Sequence, residues 1–239
     1  MVLRKIWNKT GKLLFPPRCP ICDEVVSLSE QGICRGCMKK MQYVLPPRCC
    51  KCGKHLESEE EEYCSDCSER THYFDAGRAL YEYSSVAQAI YRFKYSGRRE
   101  YAEVFGEEMA FYLRDFLKEI RPDGLLPVPM YPRKERIRGY NQSALLAKAL
   151  GRETGLPVYE ELVMRVRNTK PLKTLNPEER LNNLKKAFIL NENGVKLKVV
   201  VIIDDIYTTG STIDEIAKVL RCAGVQKIYF FALAIGETV

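Results

Sequence analysis

Eight cysteines in the first 67 residues form four Cys-x2-Cys pairs: Cys19 with Cys22, Cys34 with Cys37, Cys49 with Cys52, and Cys64 with Cys67. A tight turn between two thiolates puts both sulfurs on one side of the chain, and two such turns close a tetrahedral shell around zinc with no position left for water. The chemistry expected is therefore structural, two zinc ions folding a stretch with few large apolar side chains. In each half 11 residues separate the two pairs, and every ligand recurs at an offset of 30. The preceding tripeptide recurs as well, as Pro16-Pro17-Arg18 and Pro46-Pro47-Arg48. One unit used twice accounts for all of this. The repeat favours sequential sets, Cys19, Cys22, Cys34 and Cys37 for one ion and Cys49, Cys52, Cys64 and Cys67 for the other; a crossed arrangement would use the same residues. Cys50 reads as a bystander and Cys222 as a helix core residue, and neither His55 nor His72 is needed to complete a shell.

A second group of chemically capable residues lies near the other end of the chain. The apolar run Val199 to Ile203 is followed by Asp204-Asp205-Ile206-Tyr207-Thr208-Thr209-Gly210-Ser211-Thr212 and then by a helical pattern. Two carboxylates at a strand end can accept hydrogen bonds from vicinal hydroxyls such as those of a ribose. A turn of small hydroxyl residues opening a helix presents backbone N–H groups and a positive dipole end to a phosphate. The segment has neither the Gly-Lys-Ser/Thr of a Walker loop nor the spaced glycines of a dinucleotide fingerprint.

The elements that position these groups follow from periodicity. After Cys67 the composition changes at Ser68 to His72, the expected junction between a module of residues 1–70 and a domain of residues 71–239. Arg78 to Tyr83 reads as a strand, Ser84 to Tyr95 as a helix capped by Ser84 or Ser85, and Glu100 to Glu119 as a second helix. Gly124 to Val128, Lys198 to Ile203 and Lys227 to Ile235 read as strands alternating with helices at Gln142 to Glu153 and Thr212 to Ala223. That alternation predicts an α/β fold, a parallel sheet with helices on both faces, whose ligands sit outside the carboxyl ends of the strands.

The chain has 239 residues, 46% hydrophobic and 29% charged, a globular composition. Its formal charge of +7 falls to +3 once eight thiolates and two Zn2+ are counted. Local basic clusters are then more informative than the total: Arg133, Lys134, Arg136 and Arg138, and Arg165, Arg167, Lys170 and Lys173. Beside an anion site they are candidates for pyrophosphate clamps or for a track along a DNA backbone. Tyr91, Phe93, Tyr95 and Tyr101 interleave with Arg92, Lys94, Arg98 and Arg99, a pattern that can stack bases and contact phosphates, although half of these aromatics are expected to serve as helix core. The five glutamates between Glu57 and Glu62 read as a solvated loop. The longest apolar run, Ile228 to Ile235, is far short of the ~20 residues of a membrane span. The first 15 residues carry Arg4, Lys5, Lys9 and Lys12 without a signal peptide's apolar core. A cytoplasmic location is expected.

The segment Val199 to Thr212 resembles the phosphoribosyl pyrophosphate (PRPP) motif of type I phosphoribosyltransferases. The whole chain resembles the ComF family, with its cysteine ribbon, Pro127-Val128-Pro129, Arg138-Gly139-Tyr140-Asn141-Gln142 and a late Arg180-x-x-Asn183. The resemblance implies a type I phosphoribosyltransferase-like sheet preceded by a small double zinc-ribbon module. It implies Asp204 and Asp205 on the ribose hydroxyls, and Thr208, Thr209, Gly210, Ser211 and Thr212 around the 5′-phosphate. The loop after Val128 would lie near the pyrophosphate and its Mg2+, and Arg133, Arg138, Arg165 and Arg167 remain candidates for pyrophosphate or DNA backbone. Where the family commonly has a glutamine, this chain has Leu172. The function so implied is competence, meaning DNA uptake and natural transformation, with PRPP, single-stranded DNA and other competence proteins as partners. The alternative is an active phosphoribosyltransferase of nucleotide metabolism. No nucleophile or general base stands out.

Overall fold

The structure, a computed structural model, describes residues 16–27, 32–167, 187–191 and 196–236. Two short helices, α1 (Arg35–Met38) and α2 (Ser65–Glu69), each begin immediately after a cysteine. Then follow β1 (Ala76–Glu82), α3 (Tyr83–Tyr95), α4 (Tyr101–Ile120), β2 (Gly124–Pro127), α5 (Pro132–Arg138) and α6 (Gln142–Thr154). The chain continues through β3 (Val163–Arg165), β4 (Phe188–Leu190), β5 (Val199–Tyr207), α7 (Ser211–Cys222) and β6 (Lys227–Ile235). Strands β1, β6, β5 and β2 lie in that order, all parallel, as the alternation predicts. The antiparallel pair β3–β4 stands apart, and neither it nor α5 was legible in the periodicity.

Successive strand side chains point to opposite faces, so the apolar runs feed two cores. Val200, Ile202, Ile228, Phe230 and Ala232 join α7 in one. Val201, Ile203, Phe231 and Leu233 join α3, α4 and α6 in the other. The cysteine module straddles the same sheet. Cys19, Val26, Ile33 and Met41 belong to the core under α3 and α4, whereas Val44, Cys49, Cys52, Leu56 and Cys64 belong to the α7 core. Between the halves Tyr43 bridges antiparallel to Tyr81, with Val44 N–H donating to the Leu80 carbonyl and Glu82 N–H to that of Gln42.

Several boundaries differ from expectation for physical reasons. β1 starts at Ala76, because Asp75 N–H already donates to Ile228 O and its carboxylate accepts the Ile228 N–H. Neither Ser84 nor Ser85 caps α3. Glu82 is the N-cap without a side-chain bond, while Ser85 donates to the Glu82 carbonyl and Ser84 to Gln42 Oε1. β5 runs on to Tyr207, since its ladder with β6 continues through Asp204–Ala232 to Tyr207–Ile235. The acids therefore sit within the last turns of the sheet rather than in a loop beyond it. Cys222 is exposed at the end of α7 and is not core, because the apolar stripe of that helix is Ile213, Ile216, Ala217 and Leu220.

Candidate functional site

The two cysteine sets form as sequential groups: the sulfurs of Cys19, Cys22, Cys34 and Cys37, and those of Cys49, Cys52, Cys64 and Cys67, each lie within 4.8 Å of one another. The crossed alternative is not the one realised. Cys22 and Cys34 Sγ are 3.9 Å apart and Cys52 and Cys64 Sγ 3.6 Å, close to the ~3.8 Å edge of a tetrahedron with Zn–S bonds of about 2.3 Å. The donor set and its spacing thus fit two structural zinc ions. The repeat extends to the backbone. Cys19 N–H donates to Glu24 O as Cys49 N–H does to Lys54 O, and Val26 to Pro17 as Leu56 to Pro47.

The residue directly after each first Cys-x2-Cys pair, Asp23 and Gly53, adopts positive φ, +65° and +77°. There the two copies diverge in use. Asp23 accepts the Tyr101 hydroxyl at 2.5 Å and Arg98 Nη2 at 2.8 Å, which fastens the first ribbon to the turn after α3 and the start of α4. At Gly53 any Cβ would come within 2.5 Å of the Gly77 carbonyl, so the second ribbon lies directly on β1. Cys50 belongs to neither set and is exposed.

At the carboxyl end of β5 the acids have separate partners. Asp204 Oδ1 accepts the Ser143 hydroxyl at 3.1 Å and the Asp205 N–H at 2.8 Å. Asp205 is buried and pairs with Lys94 Nζ at 2.8 Å. Burial, reinforced by the charge of Asp205, pushes the Asp204 carboxyl up to about 7. After Tyr207 the chain turns through Thr208 and Thr209 to Gly210, whose φ is +75°, and enters α7 with no side-chain cap. The turn needs glycine twice over, since a Cβ there would meet the Tyr207 hydroxyl at 2.7 Å and His72 Cε1 at 3.1 Å. Thr209 and Ser211 hydroxyls share a 2.9 Å hydrogen bond. Asp214 accepts from Tyr73 N–H and pairs with His72 Nδ1, both at 2.8 Å, tying the start of α7 to the segment before β1. An uncapped helix start facing a hydroxyl-lined turn can take an anion.

The basic residues separate by placement. Arg133 and Arg167 are exposed. Arg138 donates to Gln142 Oε1 at 2.7 Å and lies 4.9 Å over the Tyr95 ring. Arg165, on β3, lies 5.4 Å over Phe188, and burial holds its guanidinium below the usual arginine range, opposed in part by the charge of Asp204. Burial, together with Arg165 and Arg138, holds the Lys134 ammonium below the usual lysine range. Arg138 and Arg165 thus both lie close enough to act on Lys134, and Arg165 close enough to feel Asp204, a concentration of positive charge that suits a polyphosphate. A cleft of about 690 Å3 lies beside them, lined by Pro127, Pro129, Asn141, Glu160, Met164 and Arg165. Lys170, Leu172, Lys173, Arg180, Asn183 and the basic first 15 residues lie outside the described residues.

Sequence reasoning placed Lys94 among the basic residues of a stacking surface, weighed His72 only as a spare zinc ligand and passed over Ser143, because no local pattern marks a residue that meets its partner across 61 to 142 positions. Among the described residues no helix is long and apolar enough to cross a membrane.

Residues 11–68 match the double zinc ribbon domain. The chain is 40% identical over 115 residues to competence protein F of Haemophilus influenzae, 47% of this chain and 50% of that protein. It is 35% identical over 147 residues to the DNA utilization protein YhgH of Escherichia coli, 60% of this chain and 64% of the relative. With competence protein ComFC of Streptococcus pneumoniae the identity is 32% over 158 residues, 65% and 66% of the two chains. The chain thus spans between half and about two thirds of the curated relatives it matches.

Proposed function

We propose that this chain is a member of the family of competence protein F, ComFC and YhgH, with its double zinc ribbon, and that it serves DNA uptake and natural transformation through a PRPP-binding domain. In this reading residues 1–70 are the zinc module and residues 71–239 a cytoplasmic phosphoribosyltransferase-like domain. The observation that carries it is the convergence, at the carboxyl end of β5, of the Asp204–Asp205 pair with the uncapped turn at Thr209 to Ser211. The acids accept the ribose hydroxyls. Thr208, Thr209, Gly210, Ser211 and Thr212 surround the 5′-phosphate, while Lys134, Arg138 and Arg165 face the pyrophosphate and its Mg2+.

The test is a thermal shift of zinc-loaded protein. At about 100 times its Kd, Mg2+-PRPP should stabilise the native state by ~2.7 kcal/mol, and Asp204→Asn/Asp205→Asn should lose that shift. Asp204 also supplies a ligand-free readout. A carboxyl raised in the folded state makes the native protein bind the extra proton between about pH 4 and pH 7, so ionising it costs stability as pH rises through that window. Ligand-free Asp204→Asn should therefore match or exceed the wild type in Tm at pH 8, which rules out misfolding as the cause of lost binding. Absence of any wild-type shift would sink the reading. Pyrophosphate release with candidate acceptors separates turnover, the phosphoribosyltransferase alternative, from binding alone.

A specific observation supports DNA as the second ligand. Tyr91 and Tyr95 are 58% and 63% exposed, with ring centroids 5.1 Å apart, whereas Phe93 and Tyr101 between and beyond them are fully buried. With Arg138 stacked on Tyr95, they form an aromatic and basic ridge next to the anion site. Base stacking on such a platform is worth about 1–3 kcal/mol per base. Tyr91→Ala/Tyr95→Ala should weaken single-stranded DNA binding tenfold or more in fluorescence anisotropy, leaving the Mg2+-PRPP shift intact. Unchanged affinity would move DNA off this ridge.

A further inference from the structure

Lys94 stands in the last turn of α3, and the basic residues around it are committed elsewhere. Arg92 donates to the Ile21 carbonyl and Arg98 to the Asp23 carboxylate at 2.8 Å, so the first ribbon clamps the helix end on both sides of Lys94. Its own ammonium, 18% exposed, reaches Asp205, 11% exposed, across 111 positions of sequence. A long, flexible side chain is thus delivered on a rigid mount to the inner acid of the ribose-binding pair. The groups facing the two acids are Lys94 from α3, the Ser143 hydroxyl from α6 and Arg165 from β3.

Resting on the sugar-phosphate reading above, we propose that Lys94 is a positioning residue of that site: by pairing with Asp205 it fixes one acid in charge and rotamer and leaves Asp204 to accept the ribose hydroxyls. Two adjacent partly buried carboxylates without a counter-charge repel and take up a proton. Above about pH 7, where Asp204 is ionised, Lys94 leaves the trio with a single net negative charge, which a Mg2+-bound sugar phosphate tolerates better than two. Removing the ammonium should raise the pH at which the acids ionise; the protonated acids then fail as acceptors, and binding recovers as pH rises.

The experiment uses the full zinc-loaded chain with Lys94→Met and Lys94→Arg. Titrated calorimetrically with Mg2+-PRPP, Lys94→Met should bind roughly tenfold more weakly than wild type near pH 6.5, and the gap should narrow toward pH 8.5. Lys94→Arg, which keeps the charge, should stay within about threefold of wild type at both values. In parallel, carboxyl 13C titration of ligand-free protein should place the Asp205 midpoint about one unit higher in Lys94→Met. Equal midpoints in wild type and Lys94→Met, or equal affinities with one shared pH profile, overturn the proposal. So does a raised Asp205 midpoint in Lys94→Arg with both zinc ions retained, which keeps the test open even if Lys94→Met fails to fold. A wild type that binds no Mg2+-PRPP defeats the underlying reading instead, while the carboxyl titration still reports on Lys94.

Discussion

Stripping zinc from this protein should unfold far more than the cysteine module. Elemental analysis should find two ions per chain, and chelation should abolish the cooperative thermal transition, since structural zinc supplies roughly 10–16 kcal/mol of apparent folding energy per site in small ribbons against a total domain stability of about 5–15 kcal/mol. The reason lies in the packing. Cys49, Cys52 and Cys64 are buried in the same core as Phe74, Tyr207, Ile213 and Phe230, and Gly77 N–H donates to the Lys51 carbonyl. Losing the second ion leaves four thiols against the core that packs under α7 and the candidate phosphate turn. The first ribbon should matter less to the turn before α7, because Cys22 is exposed and the unit packs Cys19, Val26, Ile33 and Met41 under α3 and α4, in the core on the other face of the sheet. Cys52→Ser should thus eliminate Mg2+-PRPP binding and near-ultraviolet dichroism together, whereas Cys22→Ser should lower Tm while leaving the β5–β6 amides protected from hydrogen exchange. One ion per chain, or a metal-free protein with an unchanged transition, would contradict this.

The second large effect is expected at Phe230. Its ring stacks parallel on Tyr207 at 4.5 Å, meets Phe74 edge-on at 4.9 Å, and lies over Gly77 so closely that a Cβ there would fall 1.9 Å from it. Phe74 in turn stacks on His72 at 4.7 Å, and His72 and the Tyr207 hydroxyl both abut Gly210. A column of rings thus supports the candidate phosphate turn from below. Phe230→Ala should cost about 3–5 kcal/mol as an unfilled core site, a fall in Tm of about 10 °C in a chain of this size. It should also weaken Mg2+-PRPP more than the fall in stability explains, because Tyr207 loses its stacking face and with it the wall behind Gly210. Phe230→Leu, which restores most of the volume but no ring, separates the two effects. A stable Phe230→Leu protein with wild-type affinity would show that the column only fills space.

How much of this was legible beforehand depends on the range of the interaction involved. The Cys-x2-Cys spacing and the 30-residue repeat are local, and a tetrahedral shell tolerates little else, so both metal sites could be read directly. The unalternating runs at Val199 to Ile203 and Ile228 to Ile235 announced doubly buried strands, and the acids and hydroxyl-rich turn were contiguous enough to be read as one candidate anion and sugar site. Element ends were less legible: β5 outlasts its apolar run because β6 goes on pairing with it, and Ser84 and Ser85 look like caps only when the strand before them is ignored.

Sequence by itself therefore determined the metal chemistry, the parallel sheet and the location of the candidate phosphate turn, each written in patterns a few residues long. Only the tertiary structure decided that the ribbons divide between the two faces of the sheet, that Asp23 and Gly53 dock equivalent knuckles by different means, and that Lys94 and Ser143 complete the acid pair. The physical reason is distance along the chain. A turn or a strand is selected by its own residues, whereas a buried ion pair or a ring column is selected by whichever side chains the packing of remote elements brings within a few ångströms, and no local pattern records that meeting.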